Sequence, residues 1–505
     1  MSENETQGPA TAGAAAAGAI DAAWAAERGA AFARSRANRV ARNAVTSMDV
    51  MPAARDISRM RTYASVYEVS LKRTGKPTNQ MQSGRCWLFS ALNVARATTM
   101  ELLDVDDFEL SQAYGMFYDK LEKANSTLER VINLRDRPLD DRGLDFVLDE
   151  GMGDGGYYNF AMNLIRKWGV VPKDAMPETA CSKNSAQMDR QLNRLVRRGA
   201  SLILVKAAEG AGMGELRGLK REVMADVYQM LAICLGEPPR TFDFACAVGP
   251  ACKLGSDRLV DVLPLPKGEA TDGEADADAG GKPQKARRMV RDRGITPLEF
   301  LKRYVPFDPD DYVELVSIPG QGRPFGKAYH VELIDSVEGG KPLLFLNVEQ
   351  EVLEQAAVTS LKAGVPVGMA CDVMQDFPRG IKDFPGVLAT DGVDLEGLFG
   401  MRLGLDRATM ADVRETSLTH AMTFQGVELD GHGRPLGWRV ENSWGKDACK
   451  DGYLHMSADW FRTFGGEVIV RREFVPKDLL AVWDDSEPVD VAPWTAMGVA
   501  LSPRL

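Results

Sequence analysis

Asn79-Gln80-Met81-Gln82-Ser83-Gly84-Arg85-Cys86-Trp87 sets a glutamine six residues before a cysteine, with a glycine between them, at the start of CWLFSALNVAR over 86–96. That run suits a helix, with Trp87, Ser90, Ala91 and Val94 on one stripe at 3.6 spacing. A thiol attacks a carbonyl as the thiolate. A cysteine that opens a helix has that charge favoured by the helix dipole and the unpaired amides of the first turn. Gly84 lets a substrate backbone come close. Gln80 can aim its side-chain amide at a developing oxyanion, with the Cys86 backbone N–H as the second donor.

Most cysteines are small buried hydrophobes, so the downstream sequence must supply a partner. Thr419-His420-Ala421-Met422 opens an apolar, strand-like run through Leu429. A turn at Asp430-Gly431-His432-Gly433 leads to a second run, Trp438-Arg439-Val440-Glu441, and the pair reads as a hairpin. It ends in Asn442-Ser443-Trp444-Gly445, and Gly452-Tyr453-Leu454-His455-Met456 follows as another short strand. His420 and Asn442 on neighbouring strand ends can meet. His330, His432 and His455 have no such partner downstream and read as packing or turn residues.

These residues resemble the papain-like cysteine peptidases, in which a Gln, Cys, His and Asn work together and a Trp beside the Asn shields its bond to the His. Glu109-Leu110-Ser111-Gln112 looks like the helix start that follows in that family. Gly155-Gly156-Tyr157 looks like its cleft-lining, substrate-binding segment. His420 lies 334 residues after Cys86, against roughly 130–150 in papain-type enzymes, so a segment of domain size is inserted. The branch with such insertions is the bleomycin hydrolase and bacterial aminopeptidase C family. NQMQSGRCWLFSALN, FYDKLEKAN (117–125), GVVPKDAMPET (169–179), and HAM with VENSWG resemble it in the same order.

The resemblance implies an α+β chain: a papain-like catalytic fold with a helical half and a β-barrel-like half, plus a large, mainly helical insertion. The expected units are a leader and N-terminal helix over 1–43, the helical half with the Cys86 helix over 44–180, and the insertion over 181–325. A β-rich half carrying His420 and Asn442 spans 326–490, and a C-terminal arm reaching toward the cleft spans 491–505. One helix is expected from about Ala19 to Ala41. Ser111 should cap another reaching about Val131, and 186–235 should be mostly helical. Residues 253–293 depart from the family, with acids at 269–278 ahead of bases at 282–293, and read as a mobile surface loop.

The resemblance further implies an aminopeptidase in which Cys86, His420 and Asn442 are catalytic and Gln80 contributes the oxyanion hole. Gly155 and Gly156 would bind substrate, Trp444 would shield the Asn442–His420 bond, and the arm would present its terminal carboxylate, here Leu505, to a free α-amine. The chain continues Ser502-Pro503-Arg504-Leu505 beyond where the family pattern tends to stop. Substrates would be peptides, the assembly a homohexamer, and no cofactor or metal is called for. Transglutaminase-like and arylamine acetyltransferase proteins use a similar trio, but typically with Asp where Asn442 stands and without the Gln. An arm that failed to block the cleft would give an endopeptidase.

Composition agrees with a globular chain: 505 residues, 45% hydrophobic and 26% charged. The formal charge of −11 argues against nucleic acid, whose binding draws on basic surface. Arg34, Arg36, Arg39 and Arg42 read as a solvated helix face. No apolar run approaches the ~20 residues needed to cross a bilayer. Thr11–Ile20 lacks the basic start and Leu-rich stretch of a signal peptide. Seven scattered cysteines form neither a disulfide framework nor a zinc site, and the cytoplasm fits best.

Overall fold

A computed structural model describes residues 18–63, 66–262, 287–380 and 382–503. The leader over 1–17 and Leu505 therefore lie outside the described residues. The chain after the leader begins with two helices, Ala22–Arg34 and Arg36–Val45, where one was expected. Ser35 divides them: its backbone is extended and its hydroxyl accepts from the Asn38 N–H at 3.2 Å. A serine that caps a new helix satisfies a donor that continuation of the old one would leave to the backbone.

The helical half is organised around Cys86–Leu103, which is buried nearly all round. Ser111 caps Gln112–Asn133, accepting from the Tyr114 N–H at 3.1 Å, as its position in the sequence implied. Tyr158–Trp168 packs beside both through Phe160, Ala161, Leu164 and Ile165. The inserted stretch forms two long helices, Ala186–Ala208 and Met213–Leu235, separated at Gly210, whose φ of 91° suits only glycine without strain. They pack on Gln112–Asn133 through Leu128, Val196, Val223 and Val227. The crossing is close at Gly199, where an added Cβ would lie 2.8 Å from a Val223 methyl.

The stretch expected to be a loop over 253–293 is strand at both flanks. Leu259–Val262 and Arg287–Ile295 pair with each other, and the second also pairs with Phe242–Ala247, making a three-stranded antiparallel sheet. Arg287–Ile295 buries Val290 and Ile295 but turns most of its charged side chains outward, so its polarity concealed a half-buried strand. The acidic run lies outside the described residues.

The other half is one mixed sheet of eleven strands among the described residues. At its centre Gly465–Arg471, Val367–Cys371, His420–Leu429, Pro435–Glu441 and Tyr453–Ser457 follow one another antiparallel. Val367–Cys371 is buried along its whole length, consistent with its near-continuous apolar sequence. Helix Gln350–Lys362 covers one face through Leu353, Ala357 and Leu361. The opposite face meets the Cys86 helix, where the Ser90 hydroxyl donates to the Met422 carbonyl at 2.6 Å. Among the described residues no helix is long and apolar enough to cross a membrane.

The last strand, Val489–Val491, joins the sheet edge beside Lys327–Val331 and leads into the C-terminal helix Ala496–Leu501. His330 ties this edge, with Nδ1 2.8 Å from Asp490 and Nε2 3.1 Å from Asp335. The hydrogen bond to Asp335, then that to Asp490, raises its pKa from 6.5 to about 9. A raised folded-state value means that the contribution to stability is full below 6.5 and is lost as pH rises through about 9. The denaturation midpoint of the wild type should therefore fall more between about pH 7 and pH 10 than that of His330→Gln. Equal falls in urea titrations of the two proteins would show that the clasp is not felt.

Candidate active site

The sequence between Asn79 and Cys86 is held as a tight turn by its own polar side chains. Arg85 is buried, donating to Glu178 Oε2 at 3.0 Å, to the Ser182 carbonyl at 2.7 Å and to the Ser83 hydroxyl at 2.9 Å. The Gly84 N–H donates to Asp154 at 2.9 Å. Cys86 is thereby the first residue of its helix, with no side chain capping the amides around it. Its sulfur lies against the backbone N–H groups of Ala421, Trp87 and Cys86 itself. Ala421 follows His420, so the thiol and the imidazole come from facing elements of the two halves.

His420 begins its strand, and Asn442 stands just past the end of the neighbouring one. His420 Nε2 lies 2.9 Å from Asn442 Oδ1, and both side chains are buried. The Ser443 N–H also donates to that oxygen, at 2.8 Å, which fixes the amide orientation. An acceptor at Nε2 selects the tautomer protonated there and leaves Nδ1 free to take a proton. The Trp444 ring covers this pair, with centroids 5.1 Å from the His420 ring and planes inclined by 31°.

Gln80 is clasped at both ends of its amide. Its Oε1 accepts from the Ser443 hydroxyl at 2.6 Å, and its Nε2 donates to the Ser83 carbonyl at 2.6 Å. An amide nitrogen carries two hydrogens, so one donor remains for a ligand beside Cys86. Gln80, Gly84, His420 and Trp444 line a cleft of about 970 Å³.

Burial acts against charge on both partners. It pushes the Cys86 thiol up, opposed by the three amides, and lowers His420 from 6.5 to about 4, opposed by the bond to Asn442. Taken singly, each group favours its neutral form, contrary to the thiolate that the helix start alone suggests. A neighbouring opposite charge would oppose both shifts.

Gly155 and Gly156 follow Asp154, which lines the cleft. Gly156 passes so close to Trp87 that a Cβ would meet its ring at 2.6 Å, so only glycine fits. The Gly155 carbonyl accepts from Lys123 Nζ at 2.7 Å. Pro503 sits against Gly155, 3.4 Å from where its Cβ would be. The C-terminal segment reaches there by a bond from the Leu418 N–H to the Ala500 carbonyl at 3.0 Å, two residues before His420.

The chain matches known proteins over most of its length. A family model described as the Peptidase C1-like family matches residues 20–247 and 283–498. The chain belongs to that family. It is 36% identical over 425 residues to Aminopeptidase C of Listeria innocua serovar 6a, covering 84% of this chain and 86% of the relative. It is 32% identical over 468 residues to Aminopeptidase C of Lactococcus lactis subsp. lactis, covering 92% and 96%. The crystal structure of pepw from Lactobacillus rhamnosis superposes with a TM-score of 0.84 at 30% identity, covering 95% of this chain and 99% of that one. The two-halved architecture is thus the papain-like fold of this Peptidase C1-like family.

Some site residues escaped sequence reading. Ser443 stood in the quoted Asn-Ser-Trp-Gly stretch but gave no sign that it would hold Gln80. Cys449, a second thiol lining the cleft, is pushed to about 11 by burial. Glu441 lies one residue before Asn442 and pairs with Arg96 on the Cys86 helix at 2.6 Å, both fully buried. Removing one partner strands the other charge, so Glu441→Ala should cost about 3–5 kcal/mol. Urea denaturation would measure this, and a loss under about 1 kcal/mol would show that Arg96 finds other partners.

Proposed function

We propose that the chain is a cysteine aminopeptidase that removes N-terminal residues from peptides, with Cys86 as nucleophile, His420 as general base and acid, Asn442 orienting the imidazole and Gln80 as oxyanion donor. The observation that carries this reading is the C-terminal segment packed against Gly155, the residue that follows the cleft-lining Asp154. In this reading Gly155 lies on the acyl side of Cys86, and an arm that fills that side leaves room for one substrate residue before the scissile bond. The names of the Aminopeptidase C relatives support the same activity.

In this mechanism His420 Nδ1 takes the thiol proton as the sulfur engages the scissile carbonyl, so the two charges arise together inside the buried site. The Gln80 Nε2–H and the Cys86 N–H receive the oxyanion. His420 then gives its proton to the leaving amine, and the C–N bond breaks. Water, deprotonated by the same imidazole, releases the acyl group from sulfur. Trp444 keeps bulk water from the Asn442–His420 bond. Leu505 would offer its carboxylate to the substrate amine.

The same reading divides the chain near residues 43, 180, 325 and 490. It takes the protein as a cytoplasmic homohexamer. The seven cysteines are free thiols, as a reducing compartment maintains them. Helix Ala22–Arg34 buries none of its residues within the single chain and exposes Trp24 and Phe32, a surface suited to a second copy. Light scattering should find six copies per particle, and monomers would refute that part.

A panel of free and N-blocked aminoacyl amides tests the activity. The wild type should cleave the free amides and spare the blocked ones, and Cys86→Ala should lose about 10⁴-fold or more. Full cleavage by Cys86→Ala would refute the nucleophile. Deleting 502–505 leaves helix Ala496–Leu501 whole and should admit blocked substrates. Continued exclusion of blocked substrates would show that the arm does not set the register.

A further inference from the structure

Beyond Trp444 the cleft carries a cation, Arg379, that no carboxylate among the described residues pairs with. The Arg379 guanidinium carbon lies 4.2 Å from the centroid of the Trp444 ring, which also neighbours His420. Arg379 is exposed, and among the described residues it forms no ion pair. Its charge is felt at His420 and at Cys449, so it stands close to the reacting groups. Lys382 and Asp447 also line the cleft, a second cation and an anion. Asp154 and Asp189, which line the cleft with Gly84 and Ser185, share the buried Lys120 at 2.7 and 2.8 Å.

The polarity of the cleft gives this cation a place in the reaction. Gly155 and Pro503 mark the acyl side, and His420 and Trp444 mark the side on which the leaving amine is protonated. In a dipeptide the α-carboxylate sits two bonds beyond that nitrogen. It therefore enters the space faced by Arg379. A guanidinium is a planar fork that matches a carboxylate with two parallel N–H···O bonds, and stacking on an indole holds the plane ready.

We propose that Arg379 is a specificity-determining residue that receives the free C-terminal carboxylate of short peptides, so that dipeptides releasing a free amino acid are the preferred substrate class. This rests on the aminopeptidase reading above.

Steady-state kinetics on three substrates sharing one N-terminal residue provides the test: a dipeptide with a free carboxylate, the same dipeptide amide, and the aminoacyl arylamide. The wild type should favour the free acid. Arg379→Gln should lower kcat/KM for the free acid by about 10-fold or more, chiefly through KM, and change the other two by less than about 2-fold. Arg379→Lys should recover part of the loss. Equal losses on all three substrates, or no loss on the free acid, would overturn the proposal. A wild type that cleaves the arylamide without favouring the free acid sinks this inference alone. Inactivity on all three sinks the aminopeptidase reading with it.

Discussion

The buried pair between Arg96 and Glu441 joins the parts from which the site is made. Arg96 belongs to the helix opened by Cys86, and Glu441 is the last residue of the strand that delivers Asn442. Asn93, one turn away on the same helix, donates to the same carboxylate at 3.3 Å, and Gln425 on the His420 strand donates to its other oxygen. Arg96 also holds the carbonyls of Thr74 and Lys76, at 3.1 and 3.0 Å, on the segment leading to Gln80. One carboxylate and one guanidinium thus fix the relative positions of all four candidate catalytic residues. Burial still pushes Glu441 up to about 7. Such a pair is retained for geometry more readily than for stability.

That constraint matters because the chemistry is assembled across a seam. A thiol at a helix start and an imidazole at a strand start can exchange a proton only while the halves keep register, and a slip of about 1 Å is costly. Several contacts resist slipping: the Ser90 bond to Met422, the Gln80 bond to Ser443, and the Gly445 N–H bond to the Thr78 carbonyl at 2.9 Å. Burial then works in favour of coupling. Since burial disfavours charge on both Cys86 and His420, the proposed mechanism has the two ionise as a unit.

Much of this could be read from the chain. Gln80 and Cys86 stand in one short turn, and His420 and Asn442 sit at the two ends of a hairpin marked by Asp430-Gly431-His432-Gly433, so local punctuation marked them as candidates. The fold class followed from the same stretches. The break at Ser35 was hidden because the Ala- and Arg-rich sequence on either side is helical by propensity. The strands at 259–262 and 287–295 were hidden by charges on their outward faces. Arg96 and Glu441 meet across 345 positions, and Arg379 meets Trp444 only through the folded cleft, so no periodicity or spacing could announce either contact.

The central claim is that Cys86 is reactive because His420 serves it, and the pH dependence of Cys86 alkylation by iodoacetamide, followed by mass spectrometry in the wild type and in His420→Ala, tests this most directly. The account predicts rapid, single-site labelling of the wild type well below the ordinary thiol pKa near 8.5, and its collapse in His420→Ala. Labelling that rises only through that ordinary range and is indifferent to the loss of His420 would contradict it.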